Sequence, residues 1–209
     1  SLHQRVLATF STTAQESSAA NNTIGTLKDK LLSTALQKVP EYGWTETAIA
    51  EAAAACTKAS MSTAGLITVP ELVAYSMDSW NERLRKELDE KIWEHDETSL
   101  DKITWAFRVR LEMEQDLVSA NRWHEAMAIG AHPSNMRRTR EQLSTLVDTV
   151  VARCGIDLSF SERLALGGVY VTVELHMLAD TSTDHEDTWK FLRLRVEDWD
   201  NLRRQQING

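Results

Sequence analysis

Glycine and proline are scarce in this chain, with eight and three among 209 residues, and Ala, Leu, Glu and Arg are plentiful in their place. That balance favours helix before any pattern is considered. Positive charge is also short. Lys and Arg number 23 against 31 Asp and Glu, a formal charge of −8, which argues against a protein whose main business is the phosphate backbone of nucleic acid. The two cysteines, Cys56 and Cys154, stand far apart with no CxxC, so neither a disulfide scaffold nor a zinc ribbon is indicated, and a reducing compartment is the mild inference. Long apolar runs are missing too. The longest, LALGGVYVTVELHML over 164–178, is interrupted by Glu174 and His176 and is a poor membrane span.

Catalytic signatures are equally thin. No glycine-rich phosphate loop occurs, which removes nucleotide and dinucleotide chemistry. None of His3, His95, His124, His132, His176 and His185 has an acid three residues before it, and no two histidines stand three or four apart, so helical di-iron or zinc sites are not expected. No GxSxG elbow is present. A Cys-His dyad assembled by folding stays open, with two ordinary thiols to support it. The acidic run TSTDHEDTW, with Asp184, His185, Glu186 and Asp187, offers cation ligands, but acids opening a helix more simply complement its dipole. No catalytic residue, metal or cofactor is therefore expected.

What remains is an ordinary globular composition, 42% hydrophobic and 26% charged, in one or two domains. The opening SLHQRVLATFSTTAQ carries Arg5, several hydroxyl residues, apolar Leu2, Val6, Leu7 and Phe10, and no acid before Glu16, like the tail of an organellar transit peptide; a frayed terminus has the same look. A flexible lead-in over 1–25 is expected. Helical spacing of Leu27, Leu31, Leu32, Ala35, Leu36 and Val39 predicts a first helix ending at Pro40. Thr45 caps a second, and Ser60 a short third near MSTAGLI. Pro70 suits the first turn of a fourth, whose stripe is Leu72, Met77, Trp80, Leu84, Leu88 and Ile92.

A fifth helix carries Leu100, Ile103, Phe107 and Leu111, and a sixth runs from Leu117 past Trp123 and Met127 to before Pro133. The seventh carries Leu143, Leu146, Val147, Val150 and Val151 and stops at Gly155. Capping boxes at Ser159-x-x-Glu162 and Thr183-x-x-Glu186 open an eighth and a ninth, the last with Trp189, Leu192, Val196 and Trp199. Nothing alternates as a strand would. The class is all-α: a helix-turn-helix-like head over 26–69 and a helical bundle over 70–206.

Such a head raises the question of DNA. Between Val39 and Glu82 the only basic residue is Lys58, against six acids, so the face that should read bases repels phosphate. The order of elements resembles TetR-type regulators, with a three-helix head before a ligand-binding bundle, and a regulator with a hydrophobic pocket is the second reading. More specifically, VPEYGWTETAIAEAA, RLEM at 110–113 and VELHMLADTSTDHEDTWKFLRLRVED at 173–198 resemble the ubiquinone-biosynthesis accessory family known as Coq-nine. The DTWxFLxxRV pattern of Asp187, Thr188, Trp189, Phe191, Leu192, Arg195 and Val196 is its most specific part. The likeness spans roughly residues 28–205.

That resemblance implies a TetR-like, non-enzymatic mitochondrial protein, peripheral to the matrix side of the inner membrane. The bundle over 70–206 would serve ligand binding and dimerisation, taking up an isoprenoid quinone intermediate and helping a di-iron demethoxyubiquinone hydroxylase of the ubiquinone-biosynthesis complex obtain that substrate. A lipid tail needs adaptable apolar walls, which Trp105, Phe107, Leu111, Trp123, Met127, Leu166, Tyr170, Val173 and Met177 supply; plain core packing is the simpler reading of each. Gly167 and Gly168 each cost the eighth helix about 1 kcal/mol relative to alanine, so close approach of a lipid or helix, or a kink, is expected. Glu174 and His176 form a polar pair there, facing a quinone head or a dimer seam.

The family's hydroxylase-binding surface falls here on Val147, Val150 and Val151 and on Phe160, Ser161 and Arg163. Family members carry an adjacent Trp-Tyr pair where this chain has Phe160 and Ser161, which implies a differently shaped interface. They usually carry, beyond the DTWxFL helix, an amphipathic helix lying on the bilayer, so peripheral membrane contact is implied. Arg137, Arg138 and Arg140 are a second means to it, or simply a solvated face.

Overall fold

A computed structural model of the chain describes residues 25–56 and 65–207, and in them all regular structure is helical, as the composition predicts. Residues 1–24, where the transit-like segment falls, and 57–64, which hold most of the expected third helix, lie outside the described residues. The chain divides into two units, Ser1–Leu72 and Val73–Gly209.

In the first unit, α1 spans 25–42 and α2 spans Glu46–Cys56. Leu31, Leu32, Ala35 and Val39 of α1 and Ala48, Ile49, Ala52 and Ala53 of α2 are buried, the i, i+3, i+4 spacing of a single apolar stripe on each. Proline 40 does not end α1 as expected. Val39 is fully buried, which holds the residue before the proline in helical conformation, and the missing proline N–H removes only one late rung. Gly43 stops the helix instead: its φ is +70° and its N–H donates to the Val39 carbonyl at 2.8 Å. Thr45 caps α2 as expected, its Oγ1 accepting from the Ala48 N–H at 3.4 Å. Of the expected third helix the described part is a 3-10 turn at Gly65 and Leu66.

From there α3 spans Val69–Glu90, with Pro70 in its first turn, and a capping box that the sequence reading missed: Glu71 accepts from the Thr68 N–H at 2.8 Å while Thr68 Oγ1 accepts from the Glu71 N–H at 3.4 Å. The second unit continues with α4 (Ser99–Glu112), α5 (Gln115–Ser119), α6 (Trp123–Ala131), α7 (Met136–Cys154), α8 (Phe160–Ala179) and α9 (Glu186–Ile207). Its core joins Leu84 and Leu88 of α3 to Ile103, Phe107 and Leu111 of α4, Leu146, Val147, Val150 and Val151 of α7, Leu166, Val173 and Met177 of α8, and Leu192, Val196 and Trp199 of α9. Each fully buried side chain of this size contributes about 1.5–3 kcal/mol.

Three expectations are corrected in this unit. The α3 stripe does not reach Ile92, which is 88% exposed; Trp93 turns inward in its place, edge-on to Trp105 at 5.4 Å, with Lys91 Nζ 5.2 Å from the Trp105 ring. A ring buries more apolar surface than an isoleucine and gains the cation, so the larger residue takes the core side. The single sixth helix is two, α5 and α6, broken where Asn121 adopts φ +54° and the Arg122 N–H donates to the Leu117 carbonyl at 2.8 Å. The Thr183-x-x-Glu186 box does not form. Thr183–His185 is a 3-10 turn with Asp184 and His185 at positive φ, and the α9 N-terminus is capped from further back, the Asp187 N–H by Ser182 Oγ at 3.0 Å and the Thr188 N–H by Asp180 Oδ2 at 2.8 Å. A carboxylate is the stronger acceptor, and it wins over the threonine hydroxyl. The Ser159–Glu162 box and the Gly155 stop, at φ +66°, form as the sequence predicts.

Candidate functional site

Helix α4 carries Ile103, Phe107 and Leu111 inward, and the same spacing forces Arg110 inward and Glu114 after it. Arg110 is 1% exposed and Glu114 wholly buried, and the two form a salt bridge four residues apart. Arg110 Nε also donates to Asn81 Oδ1 at 3.2 Å, and Asn81 Nδ2 donates to the Gln142 carbonyl at 3.0 Å. On the far side Tyr170 donates its hydroxyl to Glu114 Oε1 at 3.0 Å. Trp123 Nε1 donates to Glu174 Oε1 at 3.0 Å, and Glu174 follows Tyr170 by one turn on α8, buried like Glu114.

Aromatic rings close the cluster. Trp80 lies 4.9 Å from the Arg110 guanidinium and edge-on to Trp123 at 5.1 Å, and Phe107 is edge-on to Tyr170 at 5.2 Å. Burial pushes the Glu174 carboxyl well above the ordinary range, and the Glu114 charge beside it pushes the same way. Burial likewise raises the Tyr170 hydroxyl, with Arg110 opposing. Polar side chains from α3, α4, α6 and α8 thus meet in one buried knot. The sequence reading missed it, although Arg110 on the apolar stripe of α4 and Glu114 four residues on, at the start of α5, are its visible trace.

Of the nine residues expected to take a lipid tail, Phe107, Leu111, Leu166, Tyr170, Val173 and Met177 fall together in the core. Trp105 packs against its edge, half-buried, whereas Trp123 is buried outside that cluster and Met127 is half-buried on α6. The expected partner residues divide. Val147, Val150 and Val151 point into the core, so α7 shows Ser144, Asp148 and Ala152 outward. Phe160 is 83% exposed, Ser161 is exposed, and Arg163 is ion-paired with Asp148 at 2.7 Å.

Glu174 and His176 do not act as a pair. His176 turns the other way, stacked on Phe191 at 4.3 Å with Nδ1 3.3 Å from Thr188 Oγ1, because residues two apart on a helix face different neighbours. Gly167 faces α7, where a methyl would meet Val147 at an ordinary 3.5 Å, and a Cβ on Gly168 would meet nothing. Neither glycine is required by a neighbouring helix. Phe160, Leu164 and Leu175 instead form an exposed apolar stripe along α8, with Gly168 between them at the same helical spacing.

Much of the remaining charge is paired at the surface. Arg137 pairs with Glu141 at 2.9 Å and Arg138 with Asp78 at 2.5 Å. The acidic run before α9 lines one side of an open groove of about 1060 Å³ whose other side is Trp105 and Arg108 of α4. Among the described residues no group of His, Cys, Asp and Glu has metal-binding geometry, and no helix is long and apolar enough to cross a membrane. Cys56 and Cys154 are free thiols, the latter pushed up to about 11 by burial.

Residues 136–203 match the COQ9 family, and residues 26–54 match the family described as ubiquinone biosynthesis protein COQ9, N-terminal domain. Among similar curated proteins, the probable ubiquinone biosynthesis protein coq9, mitochondrial, of Dictyostelium discoideum is 32% identical over 188 residues, covering 82% of this chain and 59% of that protein. The ubiquinone biosynthesis protein COQ9, mitochondrial, of Xenopus tropicalis is 34% identical over 183 residues, covering 82% and 57%. That of Homo sapiens is 31% identical over 188 residues, covering 84% and 58%. The chain thus spans less than two thirds of the length of these relatives.

Proposed function

Since the chain belongs to the COQ9 family, we propose that it serves ubiquinone biosynthesis as a non-catalytic accessory protein of the mitochondrion, peripheral to the matrix side of the inner membrane. It binds an isoprenoid quinone intermediate and presents it to the di-iron hydroxylase that acts on demethoxyubiquinone. The observation that carries this reading is the exposed stripe of α8, where Phe160, Leu164 and Leu175 are 83%, 68% and 54% exposed. A row of large apolar side chains facing water costs solubility unless something covers it.

Phe160, Ser161 and Arg163 are assigned to hydroxylase contact, with Val147, Val150 and Val151 supporting the α7 surface from beneath. Continuation of the stripe toward Leu175 suits a homodimer seam. For the lipid, Phe107, Leu111, Leu166, Val173 and Met177 are entirely buried, so a tail reaches them only when the bundle opens. Tyr170 belongs to the same core, Trp105, Trp123 and Met127 flank it, and together they complete the proposed seat.

Two measurements test the reading. Mass spectrometry of an organic extract of the purified protein, against a mock extract from the same host, is expected to recover isoprenoid quinone or a related lipid. A clean extract together with no uptake of added quinone from vesicles refutes lipid binding. Co-purification with the hydroxylase, expected for the native chain and weakened by Phe160→Ala, tests the partner separately.

A further inference from the structure

Two carboxyl groups buried side by side do not both stay ionised beside a single cation, and Glu114 and Glu174 share one buried knot: Tyr170, one turn before Glu174 on α8, donates its hydroxyl to Glu114 at 3.0 Å. Glu114 Oε1 is already taken by Arg110 and Tyr170, and its Oε2 is buried with no donor among the fixed N–H and O–H groups. Glu174 Oε1 accepts from Trp123. A neutral Glu174 would supply the donor that Glu114 Oε2 lacks. Charge balance agrees, because among the described residues Arg110 is the one cation paired with either carboxyl, through Glu114, and a second buried anion would stand uncompensated.

We infer that Glu114 and Glu174 share a single proton, and that this proton clamps α8 and, through Trp123, α6 to the α4–α5 corner, so that the junction loosens when both carboxyls ionise. The charged and titratable groups facing the pair are Arg110 from α4 and Tyr170 from α8. α3 contributes neutral Asn81 and the Trp80 ring, α6 the Trp123 indole, α7 the Gln142 carbonyl by way of Asn81, and α9 the apolar Leu192 and Val196 of the shared core. Arg110 and the Tyr170 hydroxyl both stabilise charge on Glu114, which leaves the proton with Glu174.

The sign of the pH effect follows. The folded state holds a proton that an unfolded carboxyl releases once pH passes its ordinary value, so the pair stabilises the fold fully at low pH. That contribution falls as pH rises toward the pair's own titration, by up to tenfold in the folding equilibrium per pH unit for one proton. A glutamine at 174 keeps the donor and has nothing to lose.

The test is urea denaturation of the whole chain and of Glu174→Gln between pH 5 and 9, followed by circular dichroism. The native chain is expected to show a one-proton decline with pH that Glu174→Gln lacks, the variant being the more stable at pH 9. Parallel curves for the two proteins overturn the clamp. Should Glu174→Gln fail to fold, infrared spectroscopy of the native chain with isotope-labelled glutamate decides: a protonated carboxylic-acid carbonyl band at pH 7 supports the shared proton, and its absence refutes it.

Discussion

Replacing Arg110 with methionine isolates the electrostatic part of the buried knot. Methionine fills most of the arginine stem's volume, so cavity formation contributes little. What is lost is the sole cation bonded to Glu114, in a pair whose side chains are 2% and 0% exposed. Removing one partner of a buried ion pair costs about 3–5 kcal/mol, because the other charge stays buried without compensation. The donor to Asn81 Oδ1 also disappears, adding about 1 kcal/mol, as does the guanidinium over the Trp80 ring. Uptake of a proton by Glu114 returns some of this, and a net loss of about 4 kcal/mol is expected, a large share of the roughly 5–15 kcal/mol that holds a natural domain together. In urea denaturation at pH 7 the midpoint should fall sharply with an unchanged slope. Arg110→Met combined with Glu114→Gln removes the orphaned charge while its amide oxygen still accepts from Tyr170, and should recover at least about 2 kcal/mol. A single variant that loses less than about 1 kcal/mol, or a double variant no more stable than the single one, would refute the reasoning.

The cap of α9 gives a second test. Burial works to raise the Asp180 carboxyl, but hydrogen bonds from Thr188 and Ser182 outweigh it and hold the group far below the usual carboxylate range. Its contribution is therefore present above the unfolded value near pH 4 and is lost as pH falls below it, and Asp180→Ala should remove that part of the acid limb and cost about 0.5–2 kcal/mol at pH 7 in thermal melts. On α8, Gly168→Ala meets no neighbour and should raise stability by about 1 kcal/mol in the same melts, whereas Gly155→Ala, at φ +66°, should lower it by a similar amount. Phe160→Ala should leave stability within about 0.5 kcal/mol yet weaken the proposed hydroxylase binding roughly tenfold by surface plasmon resonance; equal affinities would remove Phe160 from the proposed interface.

Local rules carried far in this chain. Apolar residues at helical spacing placed α4, α7 and α8, the Ser159–Glu162 box opened α8, and Gly155 closed α7, since a stripe, a cap and a positive φ are all decided within a few residues. The same rules misjudged places where distant groups competed. Trp93 displaced Ile92 because Trp105 and Lys91 waited for it, and Asp180 took the N–H groups that Thr183 was expected to cap. Glycines 167 and 168 read as a close approach or a kink, yet nothing packed against either requires its bare backbone.

The functional residues divide along the same line. Composition and spacing by themselves determined an all-helical, acidic chain without the signatures of phosphate or metal chemistry, and the motif around Asp187 to Val196 carried the family. Only the tertiary structure decided that Val147, Val150 and Val151 face inward while Phe160 faces water, and that Arg110, Glu114, Tyr170 and Glu174 meet. Periodicity tells which residues share a face of one helix. Which helix that face meets, and whether a buried charge finds its partner 60 or so residues along, depends on contacts between segments that the spacing within each does not encode.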